Sequence, residues 1–153
     1  MDNIASDHPL TRDQQQALKI LAGLMIPAST EYQVPGADDD LIFADILQTV
    51  IPEHAVARLV VEQLNDLADG NFAALKAPEA QQAAQRFRMS GSPLVGFVHA
   101  LVAQCYYRDD RVMRSLAMEP RAPFPEGFEV EEGDWSLLDP VRARRRMYRK
   151  PPG

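Results

Sequence analysis

Cysteine is almost absent from this chain: Cys105 is the only one among 153 residues. A single thiol forms no internal disulfide, so the fold neither requires nor excludes an oxidising compartment. Histidine is scarce too. No two of the three histidines stand at metal-ligand spacing, and no cysteine–histidine cluster exists. We therefore expect neither a disulfide scaffold nor a metal site.

Long hydrophobic runs and glycine-rich nucleotide motifs are also missing. No apolar run approaches the roughly 18–20 residues of a membrane span. The sequence contains no G-x-G-x-x-G, no Walker loop and no G-x-S-x-G. We therefore expect no membrane span, no flavin or nicotinamide site of the usual kind, and no catalytic residue in this chain.

The start of the chain, "MDNIASDHPLTRDQQQ", lacks the features of an export signal. It is acidic and polar, without a basic region, an apolar region or a twin arginine. As written, the chain is expected in the cytoplasm. The alternative is the periplasm, if a twin-arginine signal was removed.

Positive charge is in deficit, with a formal net charge of −6 and a sequence pI near 5.0. A general nucleic-acid binder needs a surplus of Lys and Arg, so nucleic acid is not an expected partner. The basic residues concentrate in the C-terminal "VRARRRMYRK". Two interpretations stay open for this tail, a solvated terminus or ion pairing with an acidic surface.

What the sequence does contain is helical periodicity. It predicts an all-α bundle of about six helices. Thr11 with Gln14 forms a capping box before the first helix, and the acidic run 38–40 supplies N-cap candidates for the second. Pro52 is predicted at the first position of the third helix and Gly70 just after its end. The fourth helix is predicted over 78–89.

The fifth helix is predicted to begin with Ser92 as its N-cap. It is apolar nearly all round and is therefore expected to be central. It carries His99 and Cys105, for which the ordinary interpretations are a hydrogen-bonded core histidine and a buried structural thiol. A short sixth helix is predicted over 109–118.

After residue 118 the pattern changes to a long irregular Pro-rich arm. We predict a flexible N-terminus over 1–10, a helical bundle over 11–118 and a partner-docking arm over 119–153. The stretch "FPEGFEVEEGDWSLLDP" holds the only tryptophan, six acidic residues and no basic one. Aromatic residues such as those in this stretch, and arginines such as those that follow it, are typical interface anchors. The expected partner-binding residues are Tyr106, Tyr107, Phe124, Pro125, Phe128, Trp135, Leu137, Leu138, Arg142 and Arg144.

Several short motifs occur in a definite order along the chain. They are Ile26-Pro27, Pro35-Gly36-Ala37, Tyr106-Tyr107, Asp109 with Val112, then Pro123, Pro125 and Gly127, and the closing "GDWSLLDPVRARRRMYR". In this order they resemble the small (gamma) subunit of gluconate 2-dehydrogenase-type flavoprotein dehydrogenases, the gluconate 2-dehydrogenase subunit 3 family. The resemblance covers most of the chain, from residue 12 to residue 149.

The resemblance implies a non-catalytic accessory subunit. Such subunits bind and stabilise a large FAD-dependent catalytic subunit of the glucose-methanol-choline (GMC) type, which oxidises sugars, sugar acids or other alcohols. FAD is then expected in the partner and no cofactor in this chain. A cytochrome c electron acceptor is a further candidate partner. Exported members carry a twin-arginine signal, which this sequence does not show.

Two alternatives stay open. The first is a free-standing helical ligand-binding or enzymatic bundle with a pocket around His99 and Cys105. The second is a self-assembling protein whose arm is exchanged between identical copies.

Overall fold

The computed structural model describes residues 8–120, 127 and 133–145, and over these residues the protein is all-α. It forms two compact units, Met1–Pro120 and Arg121–Gly153, so the division falls two residues beyond the predicted end of the bundle. The first unit contains α1 (Arg12–Met25), α2 (Asp40–Val50), α3 (His54–Leu67), α4 (Ala77–Met89), α5 (Pro93–Tyr106) and α6 (Asp110–Ser115). In the described part of the chain, no helix is long and apolar enough to cross a bilayer.

The helix starts follow the capping residues that the sequence displays. Thr11 and Gln14 form the predicted capping box of α1. The Asp39 carboxylate accepts from the Leu41 N–H at 3.1 Å, so Asp39 is the N-cap of α2. Ser92 caps α5, whose first residue is a proline. Each cap satisfies an amide that the helix leaves unpaired, which is why these boundaries could be predicted locally.

Two predicted details around α3 are wrong. Pro52 does not open α3, because it lies in a 3-10 turn, Ile51–Glu53, that joins α2 to α3. At the other end, the first left-handed residue is Asp69, with φ of 52°, and not Gly70. The Gly70 N–H then bonds the Asn65 carbonyl at 3.0 Å. Aspartate tolerates the left-handed region, and Gly70 takes the following position, with φ of 156°, which favours glycine.

The core lies between the helices of the first unit, and α3 rather than α5 is at its centre. α3 packs against α1, α4 and α5, whereas α5 packs on α2 and α3. The prediction of a central fifth helix is wrong because its outer face is made of small or polar residues. Gly96, His99, Ala100 and Gln104 are exposed there, while the opposite face of α5 buries Val98, Leu101, Val102, Cys105 and Tyr106.

Phe72 closes the bundle between α3 and α4. It lies in a 3-10 turn, Phe72–Ala74, that packs against α1, α3 and α4, and its side chain is fully buried. Its N–H donates to the Asn65 side-chain oxygen at 2.9 Å. The side-chain amide of α3 therefore fixes the turn that positions this core residue.

The last residues of the predicted flexible N-terminus belong to the bundle. Leu10 is buried in the core. The His8 Nδ1 atom accepts from the Leu10 N–H at 3.1 Å, so Nε2 carries the proton and donates to the Leu47 carbonyl at 3.0 Å. The flexible terminus is thus wrong for residues 8–10, and residues 1–7 lie outside the described part.

The second unit contains a short helical element where an irregular arm was predicted. A 3-10 turn, Trp135–Leu138, continues into α7, Asp139–Arg142. The Asp134 carboxylate accepts from the Ser136 N–H at 3.0 Å and from its hydroxyl at 2.6 Å. This cap starts a helix too short for its apolar residues to show a clear period.

Candidate partner-binding surfaces

The helical element over residues 135–142 exposes nearly all of its apolar side chains. The exposed fractions are 64 % for Trp135, 74 % for Leu137, 39 % for Leu138 and 55 % for Val141. None of its residues is buried. The element therefore presents a preformed apolar surface, which we call the Trp135 surface, defined by these four residues.

Two arginines border the Trp135 surface. The Arg142 guanidinium donates to the Asp139 carboxylate of the same helix at 3.3 Å, which is an ion pair within the arm. Arg144 is exposed just after the helix. The other expected arm residues, Phe124, Pro125 and Phe128, lie outside the residues that the structure describes.

The two adjacent tyrosines have different environments. Tyr106 is buried, and its hydroxyl donates to the Pro35 carbonyl at 3.1 Å, which ties the loop between α1 and α2 to α5. Burial raises the pKa of the Tyr106 hydroxyl. Tyr107 is exposed and meets the Tyr106 ring edge-on, with ring centres 5.3 Å apart. Of the pair, only Tyr107 offers a side chain to a partner, while Tyr106 anchors the core.

A groove of about 710 Å³ opens between α1, α4 and α5, and we call it the α4–α5 groove. Its buried floor includes Leu21 and Phe87, and exposed Leu24 and Tyr107 stand among its lining residues. Polar side chains also line it, namely Gln81, Gln85, Arg88 and His99. Its size falls within the roughly 300–1,000 Å³ of ligand-binding clefts.

The groove exists because α4 and α5 diverge. Residues 90–92 alone connect them, yet α4 packs mainly on α3 and α5 mainly on α2, and the two helices hardly pack on each other. Gly91 makes the sharp reversal with φ of 69°, in the left-handed region that suits glycine. This groove has no signal in the sequence, because it results from the angle between two helices, which no local pattern encodes.

His99 and Cys105 do not share a cavity. His99 is exposed and lines the α4–α5 groove, so the expectation of a core histidine is wrong. Cys105 is buried, as expected, and its thiol lies 3.5 Å from the Thr49 hydroxyl of α2. Burial raises the pKa of the Cys105 thiol, which disfavours the reactive thiolate.

An arginine network fastens α6 to the start of α2. The Arg111 guanidinium lies 2.7 Å from an Asp39 oxygen and 2.9 Å from an Asp109 oxygen. Hydrogen bonds from Arg111 lower the pKa of both carboxyl groups. Beside this network, Arg108 pairs with Asp45 at 2.7 Å. The prediction of a helix cap within residues 38–40 is confirmed, whereas the pairing with Arg111 had no local signal.

In the part of the chain that the structure describes, no group of three or more His, Cys, Asp or Glu residues could hold a metal ion. No protein-family model matches the chain, and no curated protein and no solved structure matches it either. Its function therefore has to be proposed from its own residues.

Proposed function

We propose that this protein is a non-catalytic accessory subunit that binds and stabilises a large FAD-dependent dehydrogenase of the GMC type. The observation that carries the proposal is the Trp135 surface. Trp135, Leu137 and Val141 are each more than half exposed on two turns of helix. Soluble monomers rarely leave such clustered apolar side chains uncovered.

The composition of this surface favours a protein partner. Tryptophan and arginine are the residues most enriched among interface hot spots, and here Trp135 and Arg142 lie on one short element. The element is already helical, and its cap at Asp134 holds it so. A preformed element loses less conformational entropy when it docks than an unstructured one.

The kind of partner comes from the resemblance of the ordered motifs to the gluconate 2-dehydrogenase small subunit. On that proposal FAD and the catalytic residues belong to the large subunit, whose substrate is a sugar, a sugar acid or another alcohol. A cytochrome c would then accept the electrons. This chain contributes binding surface and no step of the chemistry.

Gentle co-purification from the native host tests the proposal. The chain is tagged, and the visible spectrum and the masses of the recovered proteins are recorded. A much larger companion with flavin absorbance, recovered in stoichiometric amount, is the expected result. A colourless chain that elutes as a 17.1 kDa monomer from fresh extract would contradict it.

A further inference from the structure

We propose that the α4–α5 groove receives an acidic amphipathic helix of the large partner subunit. This inference rests on the proposed function and adds a second docking site, located on the helical bundle rather than on the Trp135 surface. It is carried by the shape of the groove, by its charge and by the spacing of the residues that line it.

The shape suits a helix. The lining runs from Gln81 to Arg88 on α4 and from Val95 to Ala103 on α5, so each wall is about 10–12 Å long, or about two helical turns, at 1.5 Å per residue. Leu21 and Met25 of α1, with Phe87 of α4, provide its apolar lining. A helix that lays its apolar face along such a floor is a recurring mode of peptide recognition. It would complete the packing that the divergence of α4 and α5 leaves open.

The lining residues follow helical spacing on both walls. On α4 they are Gln81, Ala84, Gln85, Phe87 and Arg88, of which all but Phe87 are separated by three, one and three positions and thus share one face. On α5 the lining residues Val95, His99 and Ala103 recur every four positions. Each wall combines a small alanine, which permits close approach, with side chains that can hydrogen-bond to an occupant.

The charge determines the kind of helix. Arg88 is the only Arg, Lys, Asp or Glu among the lining residues, although the chain as a whole carries a net charge of −6. Its guanidinium pairs with no other residue that the structure describes. Its neighbour Arg86, by contrast, donates to the Leu67 carbonyl at the end of α3. A carboxylate on the occupant would therefore meet an uncommitted cation and no like charge.

Site-specific photocrosslinking in the native host tests this inference. The photoreactive residue p-benzoylphenylalanine replaces Gln85 inside the groove or, as a control, Glu62 on the exposed face of α3. We expect the groove variant alone to crosslink to the flavin-containing large subunit. The crosslinked peptide should have apolar residues at helical spacing and at least one Asp or Glu.

Affinity measurements on the purified complex provide the second readout. Arg88→Gln should weaken association about tenfold or more if Arg88 meets a carboxylate in the interface. Arg12→Gln is the matched control, because Arg12 is an exposed arginine at the opposite end of α1 from the groove. Its affinity should stay within about twofold of the wild type.

The outcomes separate this inference from the proposed function. If the large flavoprotein co-purifies but Gln85 does not crosslink to it and Arg88→Gln binds normally, the groove inference fails and the accessory role stands. A crosslink to a second copy or within the same chain also overturns the groove inference. If the chain is a monomer in extract, both fail together.

Discussion

Replacing Trp135 with alanine should weaken association strongly while leaving the free chain as stable as before. The residue is 64 % exposed, and a buried tryptophan removes roughly 200 Å² from water. About 130 Å² is therefore left for a partner to cover, which corresponds to about 3 kcal/mol at about 25 cal/mol per Å². At about 1.4 kcal/mol per decade this is a loss of affinity of about 150-fold.

The assay compares two quantities for the same variant. The dissociation constant for the co-purified flavoprotein is measured by titration, and the melting temperature of the free chain by circular dichroism. Because the side chain is mostly exposed, the free energy of unfolding should change by no more than about 0.5 kcal/mol. Tyr32→Ala is the control, since Tyr32 is 68 % exposed but lies outside both proposed surfaces.

An unchanged dissociation constant for Trp135→Ala, with an unchanged melting curve, would remove Trp135 from the interface. Equal losses of affinity for Trp135→Ala and Tyr32→Ala would refute the reasoning in another way, because exposure of an aromatic residue alone would then explain the effect. A large drop in the melting temperature of the free chain would show that Trp135 stabilises the chain itself and not the complex with a partner.

Three further predictions concern the stability of the bundle. Arg111→Gln should lower the free energy of unfolding by about 1 kcal/mol at neutral pH, as measured by urea titration. Arg114→Gln breaks only an exposed i,i+4 pair and should lower it by less than about 0.5 kcal/mol. The two carboxyl partners of Arg111 have a pKa below the ordinary 3.8. The stability that they contribute is therefore present above that pH and is lost as the pH falls through their lower pKa values in the folded state. A difference in unfolding free energy between wild type and Arg111→Gln that did not narrow in acid would contradict this. Phe72→Ala should lower the free energy of unfolding by about 3–5 kcal/mol in the same titration, because removal of a fully buried ring leaves a cavity. A loss below about 1 kcal/mol would show that the turn does not close the core. Ala117→Gly should stabilise the chain by about 0.5–1 kcal/mol, because the alanine has φ of 56°, in the left-handed region that suits glycine. Ala100→Gly, inside α5, should instead destabilise the chain by about 1 kcal/mol. Melting temperatures that moved in the same direction for both variants would refute this explanation.

The positions of the helices were largely predictable from neighbouring residues. Thr11, Asp39 and Ser92 each accept a hydrogen bond from an amide two or three residues away, so the start of a helix is encoded beside it. The predictions at Pro52 and Gly70 were wrong by one or two residues at helix ends, and the sixth helix ends three residues before its predicted end. Caps and turns compete closely there.

The surfaces were predictable only in part. The sequence indicated an aromatic arm and an adjacent tyrosine pair, but adjacency could not show that Tyr106 turns into the core while Tyr107 turns outward. That difference follows from the packing of α5 on α2 and from the Pro35 carbonyl, 71 residues away. Likewise, the apolar composition of α5 did not reveal that His99 faces a groove.

The sequence by itself determined the all-α class, the number of helices in the bundle and most of their boundaries, because α-helical hydrogen bonds and caps join residues a few positions apart. Only the tertiary structure decided which face of each helix stays uncovered. Arg111 reaches Asp39 across 72 residues, and α4 and α5 diverge to leave Arg88 beside an open groove. Such relations depend on how helices cross and pack, and that information is distributed over the whole core.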